Sequence, residues 1–335
     1  PPRMLFPPPE NSICCRCASY GTRFSHESTA VRDTLKYAMQ PGISTHIFLP
    51  QPLTPALLDT LRSAGAEAIE IFASRHHFDY TDRSAVRDIA TWFRSNAVTP
   101  TLHMPLFAAD DESAWSRHTA ASLNLIHTQK ALRIAAMDEV KRALEAAEQI
   151  PIKSCVLHLG SKDDVWDTRA LDDSLTAIEH LKAFAGPLGV KLLLENLTNA
   201  VATPEHLVEI VTVGHFSTVG FCLDLGHAHL AEGTPETRDR PRKTGIDLAF
   251  EAFSSLPDRL LELHVHDNHG ADSGSGKDEH LWPGDGSIDF KAVDAHIAAL
   301  KTKPIGMLEI AYDITPDQAE VVRRGTRACE IMREL

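Results

Sequence analysis

The chain has 335 residues, 43% of them hydrophobic, and a formal net charge of −13 from 33 Lys and Arg against 46 Asp and Glu. That is enough apolar content for one large α/β barrel or for two ordinary domains. No run of about 18 apolar residues could span a bilayer, and the start of the chain lacks the basic region plus apolar stretch of a secretory signal. The expectation is a cytoplasmic protein with no membrane partner. Without a basic stripe, phosphate neutralisation does not recommend nucleic acid as a partner, although bound divalent cations would offset several carboxylates where a substrate sits.

Residues 1 to 38 mix PPRMLFPPPE with a cysteine cluster and hold no sustained amphipathic period beyond a short helical stretch near Ser28 to Tyr37. They read as an irregular, poorly ordered N-terminal extension, and residues 39 to 335 as the folded body. Cys14, Cys15 and Cys17 have no matching second pair, which argues against a structural metal there. Cys155, Cys222 and Cys329 fall in predicted strands and the last helix, as reduced thiols do.

From Ile43 on, short apolar runs alternate with helical patterns. Strands are expected at Ile43–Phe48, Ala68–Phe72, Thr99–His103, Ile152–His158, Val190–Glu195, Thr218–Asp224, Leu260–His266 and Ile305–Ile310. Helices are expected at Pro55–Ala64, Ser84–Ser95, Ala114–Gln149, Leu171–Ala185, Pro204–Thr212, Gly245–Ser255, Phe290–Leu300 and Pro316–Glu334. Strands alternating with helices at this spacing mean βαβ units and a parallel sheet, and eight of them favour a closed (β/α)8 TIM barrel over an open sheet. No glycine-rich phosphate loop follows any strand, which removes the usual dinucleotide and P-loop readings.

In such a barrel the reactive groups sit at the carboxyl ends of the strands. Six successive strands end in metal-ligand types: TLHMP (His103), VLHLG (His158), LLLEN (Glu195), CLDLGH (Asp224, His227), LHVHDN (His264, His266, Asp267) and MLEI (Glu309). Any one of these reads most simply as a hydrogen-bonded structural residue. Acids and imidazoles from six strands pointing into one cup conflict electrostatically. Divalent cations resolve that conflict.

The run of strand-end motifs from Ile43 onward resembles the xylose-isomerase-like TIM barrels, the superfamily of sugar isomerases, sugar epimerases and endonuclease IV. The resemblance implies that Glu195, Asp224, His264 and Glu309 hold a divalent cation, as in the epimerase branch. LHMP, VLHLG, the His of DLGH and the Asp and His of KDEHLWPGDG are similar to the extra ligands of endonuclease IV, which uses three zinc ions. On that likeness His103, His158, His227, Asp278 and His280 join the set. The chain departs from endonuclease IV where Asp-Thr-Cys-His becomes DLGH and Asp-Arg-His becomes DEH, so Glu279 replaces a phosphate-friendly cation. His264 and His266 face the same side of their strand. The family spacing of His and Asp three apart selects His264 with Asp267, leaving His266 as a support or substrate contact.

The leading expectation is a sugar or sugar phosphate isomerase or epimerase working by metal-assisted proton transfer, with Glu195 and Glu309 as the acid and base pair. It would use one to three divalent ions, zinc or manganese given the mixed nitrogen and oxygen donors. His266 and Trp282 would contact the substrate. A second reading is metal-dependent hydrolysis of a phosphodiester or glycosyl phosphate, and a third is a lyase-type or non-catalytic barrel retaining the metal site.

Overall fold

The computed structural model describes residues 38–107, 122–235, 237, 242–271 and 277–335. The chain divides into Pro1–Tyr37 and Ala38–Leu335, and everything that follows concerns the second unit. The expectations for residues 1 to 37, the three leader cysteines among them, lie outside the described residues.

Eight parallel strands close on themselves in chain order: β1 (Gln40–Ser44), β2 (Ala68–Phe72), β3 (Thr99–His103), β4 (Ser154–Leu157), β5 (Lys191–Glu195), β6 (Gly220–Asp224), β7 (Leu260–Val265) and β8 (Ile305–Leu308). Pairing of Gly42 with Met307 shuts the barrel between β1 and β8. Around it stand α1 (Pro55–Ser63), α2 (Arg83–Ser95), α3 (Lys130–Leu144), α4 (Thr168–Ala185), α5 (Pro204–Val213), α6 (Leu225–Leu230), α7 (Gly245–Phe253), α8 (Phe290–Ala299) and α9 (Gln318–Glu334). The expected TIM barrel is the fold.

The outward faces of the strands and the inward faces of the helices form one continuous apolar core. Inside the barrel, Val156, Leu193 and Cys222 make a separate small apolar cluster. Because successive side chains alternate between faces, a strand whose outward residues join that core must turn its intervening residues into the barrel. Asp82 starts α2 and Asp167 starts α4 by accepting hydrogen bonds from Ser84 N and Ala170 N, while Thr244 and Asp247 form a reciprocal capping box at α7.

Three local expectations need correction. The first strand is Gln40–Ser44 rather than Ile43–Phe48, because Ser44 Oγ accepts from His46 N and the chain turns into a 3₁₀ segment over Thr45–Phe48. That turn carries His46 over the barrel mouth. The long helix from Ala114 starts, within the described residues, only at Lys130. Before it Asn124 Oδ1 and His127 Nδ1 accept from Ile126 N and Gln129 N, and such local side-chain bonds compete with a helix. Residues 108 to 121 lie outside the described residues. Finally, the short α6 directly after β6 is absent from the expected helices, because hydrophobic periodicity cannot register a six-residue helix.

Candidate metal centre

The strand ends converge at the carboxyl mouth. Asp224 closes β6 and its Oδ1 accepts from His227 N at 2.6 Å, which starts α6 and lifts His227 above the strand. Gly226 is required at the second position of that helix, since a Cβ there would come within 1.9 Å of the His266 ring. Asn196, just after β5, exchanges two hydrogen bonds with the backbone of Asp224 (3.0 and 2.8 Å) and locks the ends of β5 and β6 together. Asp267 serves the backbone instead of the donor set. Its carboxylate accepts from the N–H groups of Asn268, Gly284, Gly286 and Ile288, tying down the loop that follows β7. His280, in that loop, adopts φ +49°, a left-handed conformation uncommon for a residue with a Cβ. Bonds from both of its ring nitrogens hold it there.

Three of the donor groups among the described residues take in the expected residues, each with its ligand atoms within 4.8 Å of one another. In the first, Nε2 of His103 and Nε2 of His158 stand 3.1 Å apart and 3.5 and 2.9 Å from Oε2 of Glu195. In the second, His264 Nδ1 faces Glu195 Oε2 at 3.4 Å, Asp224 Oδ2 at 3.8 Å and Glu309 Oε2 at 3.1 Å. In the third, Nε2 of His227 and Nε2 of His280 each stand 3.0 Å from Oδ2 of Asp278. Glu195 belongs to the first and second groups at once. All of these side chains are buried or nearly so except Asp278, whose side chain is 36% exposed and faces the mouth.

The histidines are oriented by their other nitrogens. His103, His227 and His280 turn Nδ1 toward the backbone carbonyls of Met104, Asn196 and Glu309 at 2.9, 3.0 and 2.8 Å. A carbonyl can only accept, so these Nδ1 atoms carry hydrogen and the three Nε2 atoms face the centre as lone-pair donors when the rings are neutral.

Burial alone would depress the histidines, but the facing acids outweigh it. Glu195, with Glu70 and Glu309, raises His103 to about 9. Asp278 and Glu309 do the same for His280, also to about 9, and Asp224 and Asp278 hold His227 well above its ordinary value. Burial would push the acids up, but the imidazoles reverse it: Glu195, Asp278 and Glu309 lie well below the carboxylate range beside His158 and His264, His280 and His227, and His264 and His280 respectively. Without cations, protons on the imidazoles supply the positive charge this cluster demands.

The residues fit divalent cations. Glu195 Oε1 and His264 Nδ1 are fully enclosed and make no hydrogen bond, and such orphans are costly unless something else occupies them. Among the described residues, no lysine or arginine pairs with Glu195, Asp224, Asp278 or Glu309. Mixed imidazole and carboxylate donors suit zinc and manganese.

A family model described as xylose isomerase-like TIM barrel matches residues 58–331. The chain belongs to that family. An uncharacterised protein of Methanocaldococcus jannaschii, MJ1311, is 25% identical over 304 residues, covering 88% of this chain and 89% of that one. A probable endonuclease 4 of Natronomonas pharaonis is 29% identical over 192 residues, 55% of this chain and 64% of the relative. Among solved structures, a D-tagatose 3-epimerase-like protein superposes with a TM-score of 0.62 at 20% identity, over 88% of this chain and 99% of its own. The IolI protein with a bound zinc atom gives 0.65 at 18%, over 88% and 97%. These two structural likenesses speak to the fold.

Every one of the nine metal-ligand residues expected in this xylose isomerase-like barrel stands in one of the three groups. His266 lies behind them, its Nε2 3.1 and 3.0 Å from the two oxygens of Asp224 and its ring stacked 4.0 Å from that of His280. It is fully buried. The indole N–H of Trp282 donates to Tyr312 Oη at 2.9 Å, and Arg324 lies over its ring. Sequence reasoning missed His46, which stacks on Phe72 and stands 3.9 Å from Glu309, because the 3₁₀ turn that delivers it reads as strand. It also missed Glu70 and Glu262, both fully buried. Thr101 and Ser154 donate to Glu262 at 3.4 Å, and burial together with the charge of Glu70 pushes it up to about 8. Their signal is an acid within a largely apolar strand, AIEIF and LLELHV.

Proposed function

We propose that the protein is a metal-dependent hydrolase of a small phosphate ester, using a cluster of up to three divalent cations, zinc or manganese. The observation that carries this reading is the arrangement of nine side chains in three donor groups, two of which share Glu195. Proton transfer in a sugar needs only the four donors of the second group. The likeness to a probable endonuclease 4 points the same way. A small ester is favoured over nucleic acid by the net charge of −13 and by Glu279, which pairs with His269 at 2.9 Å at the rim.

Bound cations would supply Lewis acidity toward phosphate oxygens and make a nucleophile of water near neutral pH. The chain's own residues do the rest. Asp278, the most exposed of the acids, meets an entering ester first and is aimed by His227 and His280. Glu195 and Glu309, kept ionised by the facing imidazoles, are the groups in reach to take a proton from the attacking water.

A second reading, a sugar isomerase or epimerase, is favoured by one feature. Glu195 and Glu309 flank His264 Nδ1 at 3.4 and 3.1 Å from β5 and β8, as a pair moving a proton from one face of a substrate to the other would. The double variant Asp278→Ala/His280→Ala separates the two. On the hydrolase reading, purified protein carries two or three cations per chain, the double variant loses one of them, and its kcat on bis(p-nitrophenyl) phosphate falls by at least about 100-fold. A single cation in the wild type, with the variant changing only KM on a ketohexose, would establish the epimerase reading instead.

A further inference from the structure

Of the five histidines in the three donor groups, four present Nε2 and one, His264, presents Nδ1. His103, His227 and His280 present Nε2 and anchor Nδ1 on a backbone carbonyl. His264 presents Nδ1 to Glu195, Asp224 and Glu309, so a neutral ring must carry its hydrogen on Nε2, which points down into the barrel. The strand carbonyls there are engaged in the ladder and do not face the lumen. Only a side chain can accept, and a buried N–H left without an acceptor would cost about 1–3 kcal/mol.

Glu70 Oε2 lies 3.3 Å from that Nε2, reaching across from β2 to β7, and both side chains are 0% exposed. The hydroxyls of Thr101 and Ser154 are spent on Glu262, so neither holds Glu70. Its other oxygen, Oε1, has no hydrogen-bond partner among the described residues. A fully buried carboxylate with a single hydrogen bond is a poor way to stabilise a barrel, since desolvation outweighs what one bond returns. Among the described residues its one directed contact is with His264.

We infer that Glu70 is a positioning residue: it accepts the Nε2–H of His264 from inside the barrel and so fixes the tautomer that offers Nδ1 to the Glu195–Asp224–Glu309 group. This rests on the metal reading above and adds that the three donor groups differ in support. The outer two lean on backbone carbonyls through His103, His227 and His280, and the inner one leans on a carboxyl side chain that can be removed. The carboxylate behind the ring also raises the donor strength of Nδ1.

The test is a zinc titration of metal-stripped wild type, Glu70→Leu and Glu70→Gln against a competing chelator, with circular dichroism as the check on folding. Glu70→Leu should weaken one zinc per chain by about 10–100-fold and leave any others unchanged. Glu70→Gln, whose amide oxygen still accepts from Nε2–H, should recover most of that loss, which a merely structural role would not predict. Nitrogen-15 spectra of the zinc-loaded wild type should show the hydrogen of His264 on Nε2. Unaltered zinc affinity in folded Glu70→Leu would overturn the inference, and so would a hydrogen on Nδ1. If Glu70→Leu does not fold, the wild-type spectrum decides alone. Wild type that binds no zinc removes the metal reading and this inference together, whereas normal wild-type binding with an indifferent Glu70→Leu removes only the inference.

Discussion

Two buried polar clusters in this barrel are built in opposite ways. In the helical layer Glu139 is 6% exposed and accepts from Arg75 Nε and Nη2 at 2.7 and 2.8 Å, from Arg142 at 2.6 Å and from Tyr80. Both of its oxygens are satisfied, and the charge is answered by two guanidiniums within the chain. At the barrel mouth, Glu195, Asp224, Asp278 and Glu309 meet histidines and, among the described residues, no lysine or arginine, and buried atoms on Glu195 and His264 are left without hydrogen bonds there. The first cluster is complete as the chain folds. The second is complete only when something from outside brings positive charge, which is how a buried polar group kept for chemistry differs from one kept for structure.

That contrast is sharpest in paired variants. Glu195→Gln keeps the volume but removes the charge, so kcat should fall by about 10²–10⁴-fold with melting behaviour close to wild type once cations are supplied. Glu139→Ala should do the reverse, costing about 1–3 kcal/mol of stability while cation content and kcat stay put. Denaturant midpoints, metal analysis and turnover on the same preparations test both. A Glu195→Gln protein with near-normal turnover, or a Glu139→Ala protein that loses cations, would erase the distinction.

A pH series on chelator-treated protein probes the mouth alone. His103 and His280 are raised to about 9 in the folded chain from ordinary values of 6.5. Their contribution to stability is therefore complete below pH 6.5 and is lost as pH rises toward 9. Glu195, Asp278 and Glu309 are depressed, so their contribution is complete above about pH 4.5 and is lost as pH falls through their lowered values. The melting temperature of the metal-free protein should decline between pH 6.5 and 9, and saturating zinc should flatten that decline, because cations replace the imidazole protons. A metal-free curve that is flat over this window would contradict the proton-for-cation exchange.

The smallest effect is expected at Trp282, the substrate contact expected from the sequence. With its N–H committed to Tyr312 and its ring beneath Arg324, Trp282→Phe should cost about 1 kcal/mol for the lost hydrogen bond and leave KM unchanged. A KM raised several-fold with unchanged stability would return Trp282 to the substrate pocket.

Much of the centre was legible because a parallel barrel turns sequence order into geometry. His103, Glu195 and Asp224 could be read as strand ends, and a ring of strands of similar length brings its ends together whatever the loops do. Asp278 and His280 came from the family resemblance instead, since nothing in local periodicity says that a loop residue at φ +49° will face the mouth. His46 escaped because a serine side chain capping a turn, rather than hydrophobic pattern, sets where β1 stops.

The alternation of apolar runs with helical periods determined the barrel, its strand order and the chemical types at its mouth, because these follow from local patterning and chain connectivity. Tertiary structure alone decided which nitrogen each histidine presents, that Glu195 joins two donor groups, that His266 supports Asp224, and that Glu70 reaches His264 from 194 residues away. Except at His103, whose acceptor is the carbonyl of the next residue, those depend on hydrogen-bond partners supplied by other elements of the barrel, at distances of about 3 Å that no spacing within one segment encodes.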